Sequence, residues 1–313
     1  MEMHADDEFT MSFEYASGAT AERFQNPLWS VTEIFFGSKF RRAVAIVKSQ
    51  GKRIVESAVQ DRARLEQNPD HHHEQGQLDQ ISGSLVQSLM DAIGDEASTA
   101  DAALNYLSAG RDTVAQALTW TFYSLMKHRY VAARIRKEVD ECLQTTDGVS
   151  STVNFDCTQF TPFSMPYTMA VFYEALRLYP PIPFEFRQTM QPTTLPDGTF
   201  LPKDSVIVWC TWAMDRSKIT WGEDADQFNP ERWLVDGKLV SRSASEFPVF
   251  NGGPRTCLGK KMAEVTAVQT IATMAWLFDF IPADEKERVS KSSLTLPMEG
   301  GLPVMVKTRS RNL

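Results

Sequence analysis

The residues best suited to do chemistry in this chain lie in one stretch, Phe250-Asn251-Gly252-Gly253-Pro254-Arg255-Thr256-Cys257-Leu258-Gly259, which carries a single cysteine to the start of an apolar helical run. A thiolate placed there meets the unpaired N–H groups of the first turn and the positive end of the helix dipole, which keep it ionised and moderate the charge it donates. That is a setting for a metal ligand. Gly252 and Gly253 admit backbone conformations closed to other residues, and Pro254 fixes the turn that follows. Gly259 leaves bare backbone where a flat cofactor can lie against the helix, and Arg255 can pair with a carboxylate on that cofactor. The competing reading is a buried structural cysteine after a Gly-Pro turn, since free cysteine is among the most buried residue types.

Three further groups stand out. In Leu104-Asn-Tyr-Leu-Ser-Ala-Gly110-Arg-Asp112-Thr113, a glycine interrupts an apolar helical run, at a cost of about 1 kcal/mol relative to alanine. Bare backbone there admits a ligand, and a threonine hydroxyl bonded back to the i−4 carbonyl opens the helix to water. Asp112 and Thr113 also read as ordinary polar residues on a helix face. Glu174 and Arg177 are three apart and share a face; exposed, such a pair contributes about 0 to 1 kcal/mol, whereas buried it becomes a clamp that needs further hydrogen bonds. Arg232, in Pro230-Glu231-Arg232-Trp233, is an available third member. His71, His72 and His73 can bind metal in principle, but sequence neighbours point apart and no histidine follows at i+4.

The elements that must position these residues are mainly helical. Residues 1 to 26 support one weak helix, and residues 26 to 66 read as one long amphipathic helix with Val44, Val47, Ile54, Val55 and Ala58 on one face and Arg41, Arg42, Lys48, Lys52 and Arg53 on the other. Residues 67 to 76 read as a linker, and helices follow over 78 to 94 and 98 to 127. Residues 128 to 143 read as a charged amphipathic helix at the surface and 144 to 163 as loop. Pro166 opens the helix that carries Glu174 and Arg177, and Pro180-Pro181 ends it. Residues 182 to 187 and 206 to 209 have strand character, a core helix is expected over 260 to 280, and residues 294 to 307 read as a hairpin turning at Glu299-Gly300-Gly301.

Composition narrows the partners. Formal charge is −8, from 32 basic and 40 acidic residues, which disfavours general attraction to nucleic acid. Cys142, Cys157, Cys210 and Cys257 lie far apart without C-x-x-C spacing, as expected for a reducing compartment rather than a disulfide framework. The chain as written carries no apolar run of membrane-spanning length, and its acidic start does not read as a signal peptide.

The loop pattern F-x-x-G-x-R-x-C-x-G, preceded in order by Ala-Gly-x-Asp-Thr, E-x-x-R and P-E-R-W, resembles the cytochrome P-450 superfamily. The resemblance covers the chain from about Asn26 onward. It implies a mainly α fold with small β-sheets, of which only the C-terminal part is expected here. Members are usually longer, so residues 1 to 313 read as a partial catalytic domain lacking the N-terminal anchor, first strands and early helices; the same analogy points to the endoplasmic reticulum membrane.

The same resemblance implies haem b as cofactor and an NADPH-dependent flavoprotein reductase as electron donor. In the family Cys257 is the axial iron ligand, whose electron push favours O–O cleavage. Arg255, Arg187, Phe250, Gly253 and Gly259 take cofactor-binding positions, though Arg187 also reads as an edge-strand arginine in solvent. Asp112 and Thr113 take the proton-relay positions, with Val114 where many members have a second threonine. Glu174, Arg177 and Arg232 form a structural triad. Asn26-Pro27-Leu28-Trp29 before the basic helix, joined with Ala109-Gly-Arg-Asp-Thr113, looks most like the alkane and fatty-acid hydroxylases, so a lipophilic substrate is expected. The alternatives are a sterol or other bulky lipid as substrate, and a truncated chain that binds haem or a partner without catalysis.

Overall fold

The computed structural model describes residues 8–26, 28–67, 77–146, 156–291 and 295–309. The chain divides into two compact units, Met1–Arg111 and Asp112–Leu313. The histidine run, the linker residues 68–76 around it and residues 147–155 of the expected loop lie outside the described residues. Among the described residues no helix is long and apolar enough to cross a membrane.

The first unit holds helices α1 (Glu8–Gln25), α2 (Trp29–Phe36), α3 (Ser38–Gln67), α4 (Gln77–Ile93) and the beginning of α5 (Glu96–Lys127). The single helix expected over residues 26 to 66 is two. Its break is at Gly37, whose N–H closes α2 on Glu33 O at 2.8 Å, and where an added Cβ would stand 2.3 Å from that same oxygen. Asn26 prepares the start of α2 by accepting the Leu28 N–H. On α3, Ala43, Val55 and Ala58 are buried while Arg41, Arg42, Lys48, Lys52 and Arg53 are exposed, which places the basic face in solvent. Gly51 lets α3 cross α5 closely, since a Cβ there would lie 2.7 Å from Leu104. Asp95 starts α5 by accepting the Ser98 N–H, and the helix continues unbroken through Gly110.

In the second unit α7 (Pro166–Leu178) is the buried centre, with almost every residue from Tyr167 to Leu178 inside. Beside it lie α6 (Arg129–Thr146) and, later in the chain, α10 (Lys260–Leu277); the short helices α8 (Thr211–Met214) and α9 (Lys218–Trp221) fall between. The charged amphipathic helix expected over residues 128 to 143 is α6, with one face inside and one in solvent. Val131, Ile135 and Val139 are fully buried at i, i+4 spacing, and only the opposite face, with Lys137 and Glu141, meets solvent. Glu138 on that helix caps α7, taking the N–H groups of Tyr167 and Thr168 at 2.6 and 2.8 Å.

Among the described residues, four two-stranded antiparallel sheets complete the unit: β1 (Phe184–Gln188) with β4 (Val206–Cys210), β2 (Thr193–Thr194) with β3 (Phe200–Leu201), β5 (Leu234–Val235) with β6 (Lys238–Leu239), and β7 (Phe278–Pro282) with β8 (Val304–Thr308). The last pair overturns two expectations. The helix read to residue 280 stops at Leu277, where Arg136 and Arg309 take the carbonyls of Ala275 and Trp276 and the chain turns into β7. The tail turns at Gly300 and Gly301, both at positive φ, but its strand pairs with β7 in the register Phe278↔Thr308 rather than with the residues described before the turn, 295 to 298. Residues 296 and 298 dock instead on α5, where Trp120 Nε1 donates to Leu296 O at 3.0 Å and Met298 packs against Trp120 and Tyr123.

Candidate functional site

The cysteine loop is held by its own backbone. A 3-10 turn over Pro248–Phe250 leads to Asn251 at φ +57, a second turn spans Gly253–Arg255, and the Cys257 N–H closes the loop on Phe250 O at 2.7 Å. Gly253 stands at φ +61, in the left-handed region that favours glycine. Gly252 is different from the sequence expectation. Its backbone is extended, open to any residue, and what excludes a side chain is Ala244, whose Cβ would lie 2.7 Å from an added Cβ. Gly252→Ala is therefore expected to cost about 1 kcal/mol, and Ala244→Gly in the same chain to recover most of it. Thermal melts of the four combinations check this, and a double variant no more stable than Gly252→Ala alone would refute it.

Cys257 is exposed and stands just ahead of Gly259, the residue that caps α10. An added Cβ on Gly259 would sit 4.0 Å from the Cys257 Sγ, so the backbone beside the sulfur is bare. Leu258, Met262 and Val265, close to it in the sequence, expose apolar surface, and Arg255, two residues before it, is exposed as well. No cluster of three or more His, Cys, Asp or Glu residues suited to a metal exists among the described residues. A thiol with bare backbone and apolar surface beside it, and a cation near, fits a planar macrocycle that brings its own remaining ligands and carries acidic groups.

Arg187 joins this loop at one remove. Its Nη1 donates to Glu185 Oε2 at 3.3 Å and its guanidinium lies 5.2 Å from the Trp209 ring centroid, while Glu185 Oε1 accepts from Asn251 Nδ2 at 3.0 Å. Glu185 and Asn251 were not singled out in the sequence. Strand alternation puts Glu185 on the face of Arg187, but nothing local says that this face meets the loop. Asp112 and Thr113 stand half-buried on α5.

Glu174, Arg177 and Arg232 meet inside the protein. Glu174 and Arg177 are fully buried, and Arg177 Nε and Nη2 donate to the two Glu174 oxygens at 2.8 Å each. Arg232 Nε, Asn229 N–H and Trp233 Nε1 also donate to that carboxylate, at 2.9, 2.8 and 2.9 Å. The remaining Arg177 N–H groups reach the carbonyls of Asp215, Ala225 and Gln227. Arg232 spends its other donors on Trp221 O, Asp224 O and the Asp224 carboxylate. A buried ion pair is stabilising only when satisfied to this degree. It ties α7 to the strand-poor chain between α8 and Trp233.

Beside it is a polar group the sequence did not reveal. Asp215 is fully buried, and neither of its carboxylate oxygens has a hydrogen-bond partner among the described residues. Burial pushes its pKa up to about 8, against the opposing pull of Arg177 and Arg216. The folded pKa lies above the unfolded value of 3.8, so the protonated form stabilises the fold below 3.8 and that contribution is lost as pH rises through about 8. Asp215→Asn removes this linkage. Urea titrations at pH 6 and 9 are expected to show the wild type losing stability across that interval and the variant losing less; equal losses would refute the assignment.

A family model described as Cytochrome P-450 matches residues 4–303. Among curated relatives, this chain is similar to cytochrome P-450 94A1 of Vicia sativa, at 32% identity over 96% of this chain and 57% of the relative. It is similar to cytochrome P-450 86B1 of Arabidopsis thaliana, at 36% identity over 67% of this chain and 38% of the relative. A third, cytochrome P-450 monooxygenase cyp1 of Mycosarcoma maydis, is 32% identical over 97% of this chain and 49% of its own length. The chain spans about half the length of the curated relatives it matches.

Proposed function

Because this chain belongs to the cytochrome P-450 family, we propose that it is the C-terminal part of a haem-thiolate monooxygenase, which inserts one atom of dioxygen into a C–H bond of a lipophilic substrate and releases the other as water. The observation that carries this reading is the cysteine loop, with an exposed Cys257 next to bare backbone at Gly259. Haem b, when bound, supplies the iron at which dioxygen is reduced.

In this reading the protein's residues bind and orient that group and manage protons. Cys257 holds the iron through its sulfur, Phe250, Gly253 and Gly259 shape the surface beside it, and Arg255 and Arg187 pair with the haem carboxylates. For Arg187 this means exchanging Glu185 for a haem carboxylate, which its half-exposed position allows. Asp112 holds a proton on its carboxyl group and Thr113 passes it through its hydroxyl. Glu174, Arg177 and Arg232 keep the supporting chain in place. Two electrons come from an NADPH-dependent flavoprotein reductase.

For the substrate, the likeness of the sequence to alkane and fatty-acid hydroxylases favours a long-chain fatty acid or alkane over a sterol. The chain is loaded with haem and incubated with lauric or palmitic acid, reductase, NADPH and isotopically labelled dioxygen. A hydroxy acid carrying one labelled oxygen is expected. Turnover of a sterol but of neither acid would overturn the substrate class. Haem binding without any oxygenated product would support the second reading instead, a chain that binds haem without catalysis.

A further inference from the structure

We propose that Tyr173 and Glu264 form a strap that holds the cysteine loop in shape, which makes them positioning residues for Cys257; the functional half of this inference rests on the reading of Cys257 as an axial ligand. Tyr173 directly precedes Glu174 on α7, so its backbone is fixed by the buried carboxylate network. Its hydroxyl donates to Glu264 Oε1 at 2.5 Å, reaching from α7 to the second turn of α10. The Glu264 side chain is 14% exposed, so water competes poorly for this charge-assisted bond. Burial, reinforced by the Glu264 charge, raises the Tyr173 pKa and keeps the donor protonated.

Both ends of the loop lean on this pair. On the near side the Tyr173 ring lies 5.5 Å from the Phe247 ring and 6.5 Å from the Phe250 ring, in tilted contacts. On the far side Glu264 faces Lys260 Nζ at 3.8 Å, and that ammonium lies 5.4 Å from the Phe250 centroid. Phe250 is the residue whose carbonyl receives the Cys257 N–H. Between the two ends, Asn251 and Gly253 occupy positive-φ conformations that a free segment would readily leave. One tyrosine on the most buried helix thus fixes the distance between where the loop begins and where α10 takes over.

The test uses the whole chain, first without haem and then loaded with it. Tyr173→Phe keeps the ring packing and deletes only the donor, while Glu264→Gln keeps an acceptor without the charge. In the haem-free chain, hydrogen exchange at residues 250 to 260 is expected to quicken about tenfold in Tyr173→Phe, less in Glu264→Gln, with α6 unchanged. In the loaded chain, the fraction showing the red-shifted band of the reduced carbon monoxide complex is expected to fall in the same order. Unchanged exchange over 250 to 260, or faster exchange spread evenly over the chain, overturns the strap. If the unaltered loaded chain shows no such band, the axial-ligand reading fails while the exchange result still decides the strap.

Discussion

Glu174→Ala is expected to cost roughly 3–5 kcal/mol, a large share of the 5–15 kcal/mol typical of a whole domain. The reason is what the substitution leaves behind. Two N–H groups of a fully buried Arg177, the Nε of Arg232, the Asn229 N–H and the Trp233 indole all lose their acceptor at once. An unpaired buried guanidinium is far more costly than the pair was favourable. Glu174→Gln keeps an acceptor oxygen but turns an amide NH2 toward other donors, and is expected to fall between wild type and alanine. Urea unfolding followed by tryptophan fluorescence is a suitable measurement, because Trp233 lies in the network and is fully buried. A Glu174→Ala chain within about 1 kcal/mol of wild type would show that the network is incidental to stability.

The second large effect is chemical rather than structural. Cys257→Ala is expected to abolish the red-shifted Soret band that a thiolate-bound haem gives on reduction in carbon monoxide, since residues 250 to 259 hold no other sulfur. Folding should hardly change. The Cys257 side chain is exposed, and it is the backbone N–H, unaltered by the substitution, that closes the loop on Phe250; surface changes of this kind usually stay within about 0.5 kcal/mol. Cys142, Cys157 and Cys210 are each partly buried and serve as internal controls. Replacing any of them should leave the band in place. A band that survives in Cys257→Ala, or disappears with one of the other three, would remove Cys257 from the ligand position.

Several particulars show how far the sequence could be read. The i, i+3 spacing of Glu174 and Arg177 and the proline at the start of α7 announced both the helix and its internal pair, because those relations are local and helical geometry alone enforces them. Gly37 was a readable break that the hydrophobic stripe of the surrounding residues concealed. Turn chemistry at Glu299-Gly300-Gly301 was also legible, but the partner of β8 was not. A strand's alternation records which face is buried, and carries no record of which strand will lie beside it.

The composition of the cysteine loop, the sites of its glycines and proline, most helices and the mainly α class were therefore present in the residue order. What was absent is every relation that depends on distant backbone arriving at the same place. Arg177 satisfies itself on carbonyls 38, 48 and 50 residues away; Gly252 is required by Ala244 rather than by its own φ; and Arg177 beside Asp215, Asn251 on Glu185 and Glu264 on Tyr173 come from other elements. Local spacing fixes which side chains share a face, since φ and ψ are set residue by residue. Whether that face is then buried, paired or left open depends on packing among elements, and only the folded chain brings those elements together.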